Sequence, residues 1–103
     1  MCTLVFAWQV FERPLMIAAN RDERVDRPSN PPAVHEWDAR VVAPTDGEAG
    51  GTWIGYNEHG VFVAITNRWT DTELVGDRSR GRLVRDALGE PSAEDAARLV
   101  ERA

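Results

Sequence analysis

Lysine is absent from this 103-residue chain; all twelve basic residues are arginine. Against seventeen acidic residues they leave a formal net charge of −5. The clustered basic surface that neutralises phosphates is therefore lacking, which disfavours nucleic acid as a partner. Cysteine occurs once, at position 2, so no internal disulfide can form, and with only two histidines a dedicated zinc site is disfavoured too. There is no Asn-x-Ser/Thr sequon. The start of the chain has no basic n-region, and no apolar run reaches the length that spans a bilayer. The protein reads as soluble, intracellular and cytoplasmic, without a membrane span. Phosphate-loop and GxGxxG signatures are missing as well, since "DGEAGGTW" lacks the Gly-Lys-Ser/Thr ending.

What is there fits one small domain. "CTLVFAWQVF" is a continuous apolar run rich in Val, Phe and Trp, the pattern of a strand buried on both faces. It breaks at Glu12-Arg13-Pro14, and "LMIAAN" follows, so the pair predicts a hairpin turning at "ERP". Residues 21–38, charged and with three prolines, read as a long loop. "ARVVAP" reads as a brief third strand. "TWIGYNEHGVFVAITN" is the clearest hairpin, turning over Asn57-Glu58-His59-Gly60 with glycine available for positive φ. Ahead of it, Gly50 and Gly51 suit a close backbone approach or a bulge. From Ser79 the period becomes helical: Leu83, Val84, Ala87 and Leu88 share one face, and Gly89 is a natural terminator. Ser92 caps a second helix with an Ala96, Leu99, Val100 and Ala103 stripe. Strands followed by helices predict an α+β fold, an antiparallel sheet with helices packed on one face. The chain ends on that stripe without a C-cap, so it reads as a single domain incomplete at its C-terminus.

Cys2 has two readings. It is a small buried hydrophobe at the start of a strand. Alternatively, it is an N-terminal nucleophile: methionine aminopeptidase removes Met1 ahead of so small a residue, and the freed α-amine then acts as the thiol's own general base. Asn20-Arg21-Asp22-Glu23 closes the second strand, whose end the hairpin returns toward the start of the first. A guanidinium from Arg21 would lower the thiol pKa, and a carboxylate from Asp22 would hold the amine. The polar residues are otherwise a solvated strand end. "AITNR" ends a later strand in the same way; Asn67 there is an oxyanion donor or simply a turn residue. The arginines of "SRGRLVRD" form an anion site or a solvated face. His35 and His59 stand apart, with no motif around either.

"MCTL", "AANRDE", "RP", "GGTWIG", "GVFVAITN" and "SRG", in that order, resemble the NRDE family, which includes the Transport and Golgi organisation 2 homologues. The tetrapeptide itself is Asn20-Arg21-Asp22-Glu23, and the resemblance covers roughly the first eighty residues. It implies a likeness to N-terminal nucleophile (Ntn) hydrolases and an αββα sandwich of which this chain would be part. By that likeness Cys2 is nucleophile and base, Asp22 holds the amine, Arg21 tunes the thiolate and Asn67 serves the oxyanion. Asn20, Trp53 and Arg68 are assigned to substrate contact. The implied activity is hydrolysis of a small amide without a required cofactor. The alternative is a non-catalytic protein that binds or traffics haem or an acyl ligand. An exposed sheet face would favour self-association.

Overall fold

The computed structural model describes residues 3–20, 28–47, 50–66 and 80–102. Strands β1 (Thr3–Trp8) and β2 (Leu15–Asn20) pair antiparallel, with Thr3 opposite Asn20 and Trp8 opposite Leu15. The turn contains the predicted Glu12-Arg13-Pro14 but begins earlier, because β1 ends at Trp8 although the apolar run continues to Phe11. It closes with the Gln9 N–H donating to the Pro14 carbonyl at 2.7 Å, Gln9 taking a left-handed φ of 57°. The expectation of burial on both faces fails: Val5, Phe6 and Trp8 are exposed. The physical reason is topological. The hairpin is a two-stranded sheet of its own, separate from a four-stranded sheet, so β1 is not an interior strand.

The four-stranded sheet is an antiparallel meander of β3 (Ser29–Glu36), β4 (Arg40–Asp46), β5 (Ile54–Asn57) and β6 (Phe62–Ala64), in that spatial order. Residues 29–36 therefore correct the reading of 21–38 as loop; residues 21–27 lie outside the described ones. Pro31 and Pro32 have no N–H to give a ladder, but β3 is an edge strand and its register shifts between Asn30 and Ala33, where they sit. The expected brief third strand is seven residues long, and it is interior. At its start Arg40 Nε donates to Glu36 Oε1 at 2.8 Å. That hydrogen bond, then the charges of Glu36 and Glu58, raise the pKa of the guanidinium above its ordinary value.

Helices α1 (Arg80–Ala87) and α2 (Ala93–Arg102) cover one face. Val41 and Ala43 of β4 pack with Val84 and Leu88, flanked by Trp37, Val63 and Ile65. Val61, Ala87 and Ala96 form a second cluster with Val63 and Leu99. The fold class is α+β, as the sequence predicts. The Val100 end of the α2 stripe is exposed instead of packed. Ser92 caps α2 through Oγ, which accepts the Asp95 N–H at 3.1 Å. Among the described residues no helix is long and apolar enough to cross a membrane.

Three glycines fix two seams. Gly51 meets Gly81 backbone to backbone, so that a Cβ on Gly51 would lie 2.4 Å from the Gly81 carbonyl carbon. The Thr52 N–H donates to the Gly81 carbonyl across this approach at 3.2 Å. Gly89 follows α1 but does not take the left-handed φ expected of a helix terminator. Its missing side chain instead admits Asp38, whose Cβ would stand 2.9 Å from an added methyl.

Candidate functional site

The candidate site begins at the open end of the β1–β2 hairpin. The Asn20 side chain reaches back across the pair, its Oδ1 accepting the Thr3 N–H at 3.1 Å. This bond fastens the first residue of β1 to the last residue of β2 and leaves Asn20 exposed. In sequence Cys2 precedes Thr3, and Arg21 and Asp22 follow Asn20. Cys2, Arg21, Asp22, Asn67 and Arg68 all lie outside the described residues.

Trp53 stands elsewhere, half-buried just before β5, where its carbonyl accepts the Ile65 N–H at 3.0 Å. Asn20 thus ends a strand of the two-stranded sheet, whereas Trp53 precedes a strand of the four-stranded one. Neither histidine stands in a ligand cluster, and among the described residues no group of three or more His, Cys, Asp or Glu is placed to hold a metal ion. His35 is engaged on both counts: Nε2 lies 3.0 Å from the Ala43 carbonyl, and the ring stacks on Trp37 with centroids 4.5 Å apart at 11°. His59 is exposed in the β5–β6 turn.

Two arrangements escaped the sequence reading. The first is a stack between β3, its following turn and α1. The Arg85 guanidinium carbon lies 4.3 Å from the Trp37 ring centroid. Trp37, Asp38, Arg82, Arg85 and Asp86 line a shallow groove of about 190 Å³ beside it. Arg82 and Arg85 of "SRGRLVRD" therefore share their groove with two carboxylates, which weakens it as an anion site. No sequence spacing links Trp37 to Arg85; only the packing of α1 does.

The second arrangement is around Asn57, which is buried at the end of β5. Its Nδ2 donates to the Leu88 and Glu90 carbonyls at 2.9 and 2.8 Å, while Oδ1 accepts the N–H groups of His59 and Val61 at 2.9 and 3.0 Å. One side chain thereby forms the hairpin turn and ties it to two carbonyls of the connection that follows α1. Its signal in the sequence was an asparagine in a turn, which is too common to reveal such a role.

With this geometry in place, known proteins can be set beside the chain. The family described as Transport and Golgi organisation 2 (TANGO2) matches residues 1–103. The Transport and Golgi organization 2 homolog of Mus musculus is 37% identical over 73 residues, covering 68% of this chain and 26% of that protein. The Bos taurus homolog is 37% identical over 79 residues, covering 72% of this chain and 28% of its own length. The Homo sapiens homolog is 36% identical over 73 residues, 68% of this chain and 26% of that one. The matches thus span about a quarter of each relative. No solved structure matches.

Proposed function

The chain belongs to the Transport and Golgi organisation 2 family, and from that membership and the hairpin geometry we propose that it serves hydrolysis of a small amide, with Cys2 as nucleophile once Met1 is removed. The observation that carries the reading is the Thr3–Asn20 register with its side-chain clasp. A hairpin held at this end supports a meeting of Cys2 with the residues after Asn20.

The chemistry follows from the residue types. The freed α-amine takes the thiol proton. Sulfur attacks the amide carbonyl carbon, and the oxyanion is met by donors such as Asn67. The C–N bond breaks as the ammonium returns its proton to the leaving amine. Water then attacks the thioester; the acid is released and the thiol regenerated. Asp22 orients the amine, Arg21 favours the thiolate, and Asn20, Trp53 and Arg68 contact substrate.

The test joins intact mass with turnover on a panel of short-chain acyl anilides. The expected outcome is Met1 lost, one rapid thiol alkylation, and anilide release that Cys2→Ala abolishes. Turnover undiminished in Cys2→Ala, or with Met1 retained, sinks the proposal. A second reading, binding of haem or an acyl ligand without catalysis, draws on the exposed Phe6 and Trp8 of β1. A haem titration decides it, an unshifted Soret band at stoichiometric protein counting against it.

A further inference from the structure

Asn20 does more at the end of β2 than a solvated strand end requires. It is the last residue of β2 paired with β1, opposite Thr3. Its side chain crosses the pair, and Oδ1 accepts the Thr3 N–H at 3.1 Å. That N–H belongs to the peptide unit joining Cys2 to Thr3. A peptide unit is planar, so a bond that holds its N–H also holds the line along which the chain passes to the preceding Cα. On the other strand, the backbone of Asn20 leads directly into Arg21 and Asp22. One side chain thus ties the peptide after Cys2 to the residue before Arg21. The two ends of the amide differ: Oδ1 is engaged, whereas Nδ2 has no hydrogen bond among the described residues.

We propose that Asn20 is a positioning residue for Cys2. Through the Thr3 N–H, its Oδ1 sets the nucleophile against the residues that follow β2, and the contact Asn20 makes with substrate falls to Nδ2. The inference rests on the amide-hydrolysis reading. Magnitudes separate it from a merely structural bond. Thr3 and Asn20 are both exposed, so water replaces either partner and the bond adds little to stability. Reactivity depends far more steeply on geometry, a misplacement of about 1 Å costing on the order of 100-fold. Loss of this oxygen should therefore show in the chemistry and hardly in the fold.

The test reads the full 103-residue chain by anilide turnover, by alkylation of Cys2 with iodoacetamide, and by hydrogen exchange of the Thr3 amide followed by nuclear magnetic resonance. Asn20→Ala should leave the urea midpoint in place and lower kcat about tenfold. It should also speed Thr3 exchange, and slow alkylation at neutral pH severalfold as the thiol draws away from the Arg21 guanidinium. Asn20→Asp keeps an oxygen for the Thr3 N–H but has no N–H of its own. It should restore Thr3 protection and kcat, the latter compared at the maximum of each pH profile so that the added charge does not enter. KM should rise alike in both variants, since both lack Nδ2. A kcat for Asn20→Ala within about twofold of the unaltered chain overturns the inference. So does an Asn20→Asp as slow as Asn20→Ala, which would make Nδ2 the working end. An unaltered chain without turnover refutes amide hydrolysis instead, and alkylation and exchange then decide alone. A thiol and a Thr3 amide that both respond to Asn20→Ala uphold the positioning of Cys2; indifference in both refutes it.

Discussion

Asn57 satisfies two backbone donors and two backbone acceptors with one amide. An unsatisfied buried polar group costs about 1–3 kcal/mol. Asn57→Ala orphans four at once, although water can reach the glutamate end, where Glu90 is only half-buried. The expected loss is about 2–4 kcal/mol of unfolding free energy, read from the urea midpoint. Asn57→Asp should be no better: it keeps the acceptor for His59 and Val61 but sets carboxylate oxygen against the Leu88 and Glu90 carbonyls. A loss below about 1 kcal/mol in both variants would mean that the turn and α1 are held together by packing alone.

At the level of elements, the join between the β4–β5 connection and α1 is lopsided. A methyl on Gly51 meets Gly81 backbone at 2.4 Å, whereas a methyl on Gly81 stands 3.3 Å from the Gly51 Cα. Gly51→Ala must push the helix off the sheet, and should cost about 1–3 kcal/mol as overpacking does. Gly81→Ala asks for a few tenths of an ångström and gains helix propensity of up to about 0.8–1 kcal/mol, so it should be near neutral. Thermal melts of the two variants check the order; equal losses would contradict the geometry. The sequence offered a close approach or a bulge for Gly50 and Gly51, and Gly51 makes the close approach. It foretold the hairpins, both helices and the Ser92 cap for similar reasons: turn chemistry and period are local. It missed β3, since prolines exclude an interior strand but not an edge, and edge position is a property of the assembled sheet. Gly89 was misjudged because Asp38, fifty-one positions earlier, decides what that site must accommodate. The apolar density of β1 was legible, but what lies against it was not. Of the candidate site, Asn20 and Trp53 can be judged; the remainder falls among residues 2, 21, 22, 67 and 68, outside the described ones.

For the molecule as a whole, the two edges of the four-stranded sheet differ in what they offer another strand. On the β3 side, Pro31 and Pro32 give an approaching strand two consecutive positions with nothing to donate. Together with the register shift between Asn30 and Ala33, they make the outer rim of β3 a poor template for another chain's backbone, a guard written into the residues that form the edge itself.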